Sequence, residues 1–233
     1  MLQTAEPIHQ SSLHYASAPS AASTIPTAAV PAVKPAPAMA IPNHHHILIV
    51  TGPAGCGKST VAKFLAEHYD YEYIEGDEFH PASNIEKMAQ NIPLDDADRW
   101  DWLILLRDQA LEALKQGAKG VVVTCSALKK KYRDVIRTAR IYDEDPNASV
   151  HFIYLRASRE VLLARVSGRQ GHYMKETMVT SQLATLEEPD KQEIERLRDV
   201  KIVDVRGGLL EVQKLAIAAA EQILAEESPD VSS

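Results

Sequence analysis

The chain has 233 residues, 45% of them hydrophobic, and a formal net charge of −7. That is enough apolar material for one sizeable core. No half or stripe is basic enough to suggest a nucleic-acid or membrane-surface partner. Two cysteines, Cys56 and Cys125, make neither a disulfide framework nor a zinc site. This fits a reducing, cytoplasmic setting, and no apolar run approaches the roughly 18–20 residues of a membrane span.

Residues 1–43 are rich in Ala, Pro, Ser and Thr, contain no glycine and carry only Glu6 and Lys34 as charged side chains. Pro26, Pro31, Pro35, Pro37 and Pro42 break any helix. The segment cannot bury enough apolar surface to offset its ordering entropy, so it is expected to be a disordered leader. It has neither the basic start and apolar centre of a secretory signal nor the arginines of a mitochondrial presequence, the first arginine being Arg99. His44-His45-His46 cannot all meet one metal ion, because adjacent side chains in a strand point to opposite faces. They read as a polar lead-in.

A single domain is expected over 44–226, with 227–233 a flexible tail. Ile47–Thr51 reads as a buried strand and Thr60–Glu67 as a helix. Between them Gly52-Pro53-Ala54-Gly55-Cys56-Gly57-Lys58-Ser59-Thr60 matches G-x-x-x-x-G-K-[ST], the phosphate-binding loop. Its glycines let backbone N–H groups turn inward, and the following helix adds the positive end of its dipole. Lys58 would reach the β- and γ-phosphates and Ser59 would ligate Mg²⁺.

Tyr71–Ile74 is a short second strand ending at Glu75-Gly76-Asp77. Ser83–Gln90 is a short helix with Ser83 as N-cap and Glu86 completing a capping box. Asp98–Lys115 is a long helix with Leu103, Leu106, Ala110 and Leu114 on one stripe, stopped by Gly117 and Gly120. Val121–Cys125, β-branched and apolar on both faces, is a central parallel strand. Lys129–Arg140 is helical, Val150–Leu155 a strand, and Ser158–Val166 a helix capped by Ser158. Gly168–Lys175 breaks the pattern and Glu176–Leu186 resumes it. Lys201–Val205 is the last strand. Leu209–Ala225 is a closing helix with Val212, Leu215, Ala219 and Ile223 in line. Such alternation gives an α/β fold, a parallel sheet covered on both sides.

Ligands of such sheets sit at the carboxyl ends of the strands. Asp77 stands there, opposite the phosphate loop, and can accept the proton of an attacking hydroxyl or hold Mg²⁺ through water. The strand Val121–Cys125 ends without the Asp that often positions Mg²⁺ in phosphate-loop proteins, which leaves Ser59 as the metal contact and Asp77 as the nearest acidic group. Lys129, Arg133 and Arg137 fall at i, i+4 and i+8 on one helix face. Lys129 and Arg133 are candidates to hold a carboxylate or phosphate, and Arg137 reads as a solvated basic residue. Arg165 and Arg169 lead into the Gly-punctuated break and read as lid arginines aimed at phosphates.

Several blocks together resemble the small phosphate-loop gluconokinases. They are Gly52–Thr60, Gly76-Asp77-Glu78-Phe79-His80-Pro81-Ala82-Ser83-Asn84-Ile85-Glu86-Lys87-Met88, Pro93–Arg99 with Trp102-Leu103, Cys125-Ser126-Ala127-Leu128-Lys129 through Asp134, Gly171–Met174, Ser181-Gln182 and Leu186–Pro189. The resemblance spans about residues 45–205. It implies a P-loop NTPase fold of the nucleoside-monophosphate-kinase type, with a five-stranded parallel sheet and a lid. It also implies ATP- and Mg²⁺-dependent phosphorylation of D-gluconate to 6-phospho-D-gluconate, an activity that would feed the pentose phosphate pathway. Under it Lys58, Asp77 and Arg169 are catalytic. Gly52, Pro53, Ala54, Gly55, Cys56, Gly57, Lys58, Ser59, Thr60 and Arg165 hold the nucleotide, and Ser59 the metal. Asp77, His80, Arg99, Lys129, Arg133 and His172 hold the acceptor. The partners are ATP and D-gluconate, with no nucleic acid and no membrane, and a homodimer is kept open. One departure is Asn91-Ile92-Pro93-Leu94, where the family pattern has Gly. Two other readings stand beside this one: a phosphate-loop kinase for another small acceptor, and a non-catalytic nucleotide switch, which the absence of an N-K-x-D-like block disfavours.

Overall fold

The structure, a computed structural model, describes residues 45–90, 92, 94–138, 148–167 and 172–226, the stretch 172–176 by its backbone alone. The leader, the tail and residues 168–171 of the expected break Gly168–Lys175 lie outside the described residues, and the rest of that break is helical, since the helix expected from Glu176 begins at His172.

Five strands form one parallel sheet in the order β2-β3-β1-β4-β5: β1 His45–Thr51, β2 Glu72–Glu75, β3 Gly120–Thr124, β4 Ala148–Arg156 and β5 Val200–Asp204. Ile47 pairs with Val121 on one side and Val150 on the other, so β1 takes the middle. Val121–Val123 are buried, as an interior parallel strand requires.

The pleat divides the core in two. Leu48 and Val50 point to one face, where they meet Val61 and Leu65 of α1 (Lys58–Tyr69) and Val212, Ala216 and Ile223 of the closing helix Leu209–Glu226. Leu162 of Arg159–Ser167 and Val179 of His172–Thr185 join that side. Ile47 and Ile49 point to the other face, against Trp102, Leu103 and Leu106 of Asp96–Lys115 and Tyr132 and Ile136 of Lys130–Arg137. With the short helix Ala82–Ala89, the helices are numbered in chain order: α1, α2 (Ala82–Ala89), α3 (Asp96–Lys115), α4 (Lys130–Arg137), α5 (Arg159–Ser167), α6 (His172–Thr185) and α7 (Leu209–Glu226).

Local chemistry moves several boundaries. α3 starts two residues before the expected Asp98, because Asp95 is the N-cap. Its carboxylate accepts the Asp98 N–H at 2.9 Å, and Asp98 returns the bond to the Asp95 N–H at 3.0 Å. The capping box expected at Ser83 and Glu86 does not form. Pro81 is the N-cap of α2 and its carbonyl accepts the Asn84 and Ile85 N–H groups, which places Ser83 inside the first turn. Gly120 is not a stop but the first residue of β3, where a Cβ would press on the Tyr71 ring. On α7 the covered stripe runs through Ala216 and Ala220, while Leu215 is exposed. His45 and His46 are strand residues, and His46 is buried. A π-helical turn at Gln192–Leu197 has no counterpart in the sequence periodicity.

Candidate active site

All five strands run the same way, so β1, β2 and β3 deliver their carboxyl ends to one edge of the sheet. β1 runs into the loop Gly52–Ser59. Gly52, Gly55 and Gly57 have φ of 140°, 85° and 102°, and Gly57 is the N-cap of α1. Only glycine takes these values without strain, so the chain can turn tightly here into the N-terminus of α1. Lys58 Nζ lies over the loop, 3.0 Å from the Gly52 carbonyl and 3.3 Å from that of Pro53. Ser59 and Thr60 are exposed at the helix start. Cys56 is buried, and burial pushes its thiol up, so this residue offers a ligand its backbone only.

Two contacts brace the loop from outside. Arg165 donates through Nη1 to the Cys56 carbonyl at 3.2 Å and through Nη2 to the Val205 carbonyl after β5. Gln182 of α6 accepts the Ala54 N–H through Oε1 at 2.7 Å. Arg165, expected to contact nucleotide, thus has two backbone partners in the loop's frame. Arg169 lies outside the described residues. His172 opens α6, and its side chain lies outside them too.

β2 ends at Glu75 and passes into a 3₁₀ turn, Gly76–Phe79. A Cβ on Gly76 would collide with the Thr124 carbonyl oxygen, so β2 reaches β3 this closely only with glycine there. The Gly76 N–H donates to Thr124 Oγ1 at 2.9 Å, and the Trp102 Nε1–H donates to the Gly76 carbonyl at 2.9 Å. Asp77, carried by this fixed turn, is 82% exposed at its side chain. His80 is covered by stacking on Trp102, centroids 4.1 Å apart and 16° between planes. Its Nε2 is 4.0 Å from Asp77 Oδ1. Burial lowers the His80 pKa, with Asp77 opposing and Arg99 adding to the shift, which favours the neutral ring.

Glu75, which the sequence pattern marks only as a strand end, carries a carboxylate at this edge. Its carboxylate accepts from Thr124 Oγ1 and the Tyr73 hydroxyl. Burial pushes its pKa up, but Thr124, Tyr73, the Ser59 hydroxyl and the charge of Lys58 outweigh that and hold it below the usual range. The Glu75 carboxylate is therefore held in its charged form at the end of β2, within electrostatic reach of Lys58, and the signal for it was its place as the last residue of that strand.

The segment after β3 lies between these two. The Ser126 carbonyl accepts the Thr51 hydroxyl at 2.6 Å and the Gly52 N–H at 3.4 Å. Lys129 Nζ is 3.0 Å from Asp96 Oδ1, and Lys131 and the Tyr132 hydroxyl meet the same carboxylate. These donors, Lys131 first, hold Asp96 far below the ordinary carboxylate range. Arg99 donates to the Leu94 carbonyl and lies 5.9 Å from the Tyr132 ring centroid.

Arg133 is a correction. The i, i+4 spacing with Lys129 suggested a second cation for the acceptor, but Arg133 is 1% exposed and its guanidinium is occupied by Glu193 and two carbonyls. Arg137 is not solvated either. It pairs with Asp199, Glu193 and Asp134.

A parallel sheet whose middle strand opens into a phosphate loop, with an exposed Asp on a fixed turn at the same sheet edge, fits a phosphate-loop kinase. The family model described as AAA domain matches residues 47–189. A probable gluconokinase of Schizosaccharomyces pombe is 49% identical over 166 residues, 71% of this chain and 82% of that protein. The thermoresistant gluconokinase of Escherichia coli is 42% identical over 72% of this chain and 89% of its own length. Among solved structures, a gluconokinase from Sinorhizobium meliloti superposes with a TM-score of 0.64 at 35% identity, over 78% of this chain and 94% of that one. The chain belongs to the gluconokinase family.

Proposed function

We propose that this chain transfers the terminal phosphoryl group of ATP to the 6-hydroxyl of D-gluconate, giving 6-phospho-D-gluconate and ADP. The observation that carries it is the shared sheet edge: the phosphate loop after β1, exposed Asp77 after β2 and Lys129 after β3, in a chain whose relatives bear the gluconokinase name. The loop N–H groups, the α1 N-terminus and Lys58 hold the phosphates. Ser59, a hydroxyl at the start of α1, and Glu75, an ionised carboxylate at the end of β2, are the residues that would hold Mg²⁺. The ion would neutralise charge on the phosphate oxygens. Asp77 accepts the hydroxyl proton as the oxygen attacks phosphorus. Lys129 meets the sugar-acid carboxylate, and His80 donates a neutral N–H to a hydroxyl. Arg169 and His172 belong to this reading as lid contributors.

The test is ADP release with Mg-ATP across a panel of sugar acids, sugars and nucleoside monophosphates. Gluconate should exceed every other acceptor by a wide margin. Silence on gluconate with turnover of a nucleotide or another sugar acid would sink the reading. Among the described residues no helix is long and apolar enough to cross a membrane.

A further inference from the structure

The acceptor side of the site stands on a buried ion pair. Arg133 and Glu193, 1% and 0% exposed, meet at two points, Nε to Oε1 and Nη2 to Oε2, both 2.7 Å. The remaining Nη1 donates to the carbonyls of Ala127 and Glu187, 3.1 Å each. Ala127 has φ of 36°, on the side of the map that residues with a Cβ avoid. Such a conformation persists only where its surroundings over-determine it.

Here they do so on both sides. Before Ala127, the Ser126 carbonyl is held by Thr51 and Gly52. After it, the Leu128 carbonyl accepts the Glu187 N–H at 2.8 Å, and Glu187 Oε2 accepts the Lys130 N–H at 2.8 Å. Glu193 is itself locked in the π-helical turn. Its N–H donates to Asp190 Oδ1 at 3.0 Å, its Oε2 accepts the Asp190 N–H at 3.3 Å, and Arg137 donates to its Oε1 at 2.7 Å.

A buried pair of this kind adds little stability over apolar side chains of the same volume, while losing one partner is costly. Its output must be sought in what it holds. We propose that the Arg133–Glu193 pair is a positioning device for the acceptor: through the Ala127 carbonyl it fixes Ser126–Lys129 and so sets affinity for the phosphoryl acceptor and not for ATP. The phosphate loop has braces of its own at Lys58, Arg165 and Gln182, none of which includes the pair. It meets the Ser126–Lys129 segment at the Ser126 carbonyl, through Thr51 and the longer Gly52 N–H bond of 3.4 Å. Neither Arg133 nor Glu193 touches substrate. The inference rests on the proposed role of Lys129.

The experiment compares wild type with the double variant Arg133→Met/Glu193→Leu, which removes both charges together. Arg137 keeps Asp199 and Asp134 as partners. The double variant should remain folded by circular dichroism. Its KM for gluconate should rise about tenfold or more while its KM for ATP changes less than about threefold. An unchanged KM for gluconate, or equal rises for both substrates, overturns the proposal. If the double variant does not accumulate as folded protein, Glu193→Asp, which keeps the charge and shortens the reach, decides by the same ratio. A wild-type enzyme inactive on gluconate would count against the proposed function. The ratio is then read with the acceptor that the panel identifies.

Discussion

The phosphate loop and the acceptor edge solve the same problem, holding polar groups still, in opposite ways. The loop is nine consecutive residues, Gly52–Thr60, whose turns follow from glycine φ values and one helix start, with Arg165 and Gln182 added as outside braces. The acceptor edge is assembled from distant segments. Trp102 holds Gly76 from 26 residues away, Lys129 meets Asp96 across 33, and Arg133 meets Glu193 across 60. A contiguous site is specified by local backbone freedom. A dispersed one is specified by packing, and is therefore exposed to change in parts of the chain that never touch a ligand.

That contrast can be broken at several points. Lys58→Ala strikes the loop itself, and turnover should fall by roughly 10³-fold or more, as when a charged transition-state donor is lost, with the circular dichroism spectrum unchanged. Near-normal activity would remove the phosphate-loop assignment. Asp77→Asn should lower kcat by roughly 10²–10⁴-fold if the carboxylate takes the proton. A loss confined to KM would make Asp77 a ligand of the acceptor instead. Trp102→Phe keeps most of the buried ring but strands the Gly76 carbonyl, at a cost of about 1–3 kcal/mol in denaturant unfolding. Because that carbonyl precedes Asp77, kcat should drop as well. Stability lost with full kcat would confine Trp102 to the core.

Acid probes the ion pair. Burial raises the Glu193 pKa, but Arg133 and Arg137 outweigh it, and the folded value lies below the reference 4.5. The stability this gives is complete above about pH 4.5 and is lost as pH falls through the folded value. Glu193→Gln should therefore flatten the acid limb of a stability–pH curve measured by denaturant unfolding. A limb as steep as wild type would assign acid sensitivity to other carboxylates. The smallest effect is expected from Asp95→Ala, which removes the α3 N-cap and should cost about 1 kcal/mol. A neutral result would mean that Asp98 and packing carry the helix start alone.

The alternation of strands and helices was legible because β1, β3 and β4 carry apolar runs and the long helices α1, α3 and α7 repeat their buried positions near 3.6. The phosphate loop was legible because its chemistry is local. Ser83 misled because Pro81, two residues earlier, supplies the N-cap. Arg133 misled because its helix turns that face inward, where the distant Glu193 and the Ala127 and Glu187 carbonyls make a buried guanidinium tolerable. Glu75 was hidden by Asp77 two residues later, the more familiar acidic position. The bond from Ala54 to Gln182 joins residues 128 apart and has no short-range signal.

The direction of β1 has a practical consequence. The strand enters the sheet at His45 and delivers its far end to the phosphate loop. Six residue steps at about 3.3 Å put roughly 20 Å between the two. A fluorophore, affinity handle or fused domain joined immediately before His45 would start at the rim remote from phosphoryl transfer. Labelling chemistry is better directed there than at Cys56 or Cys125, whose thiols are closed within the protein.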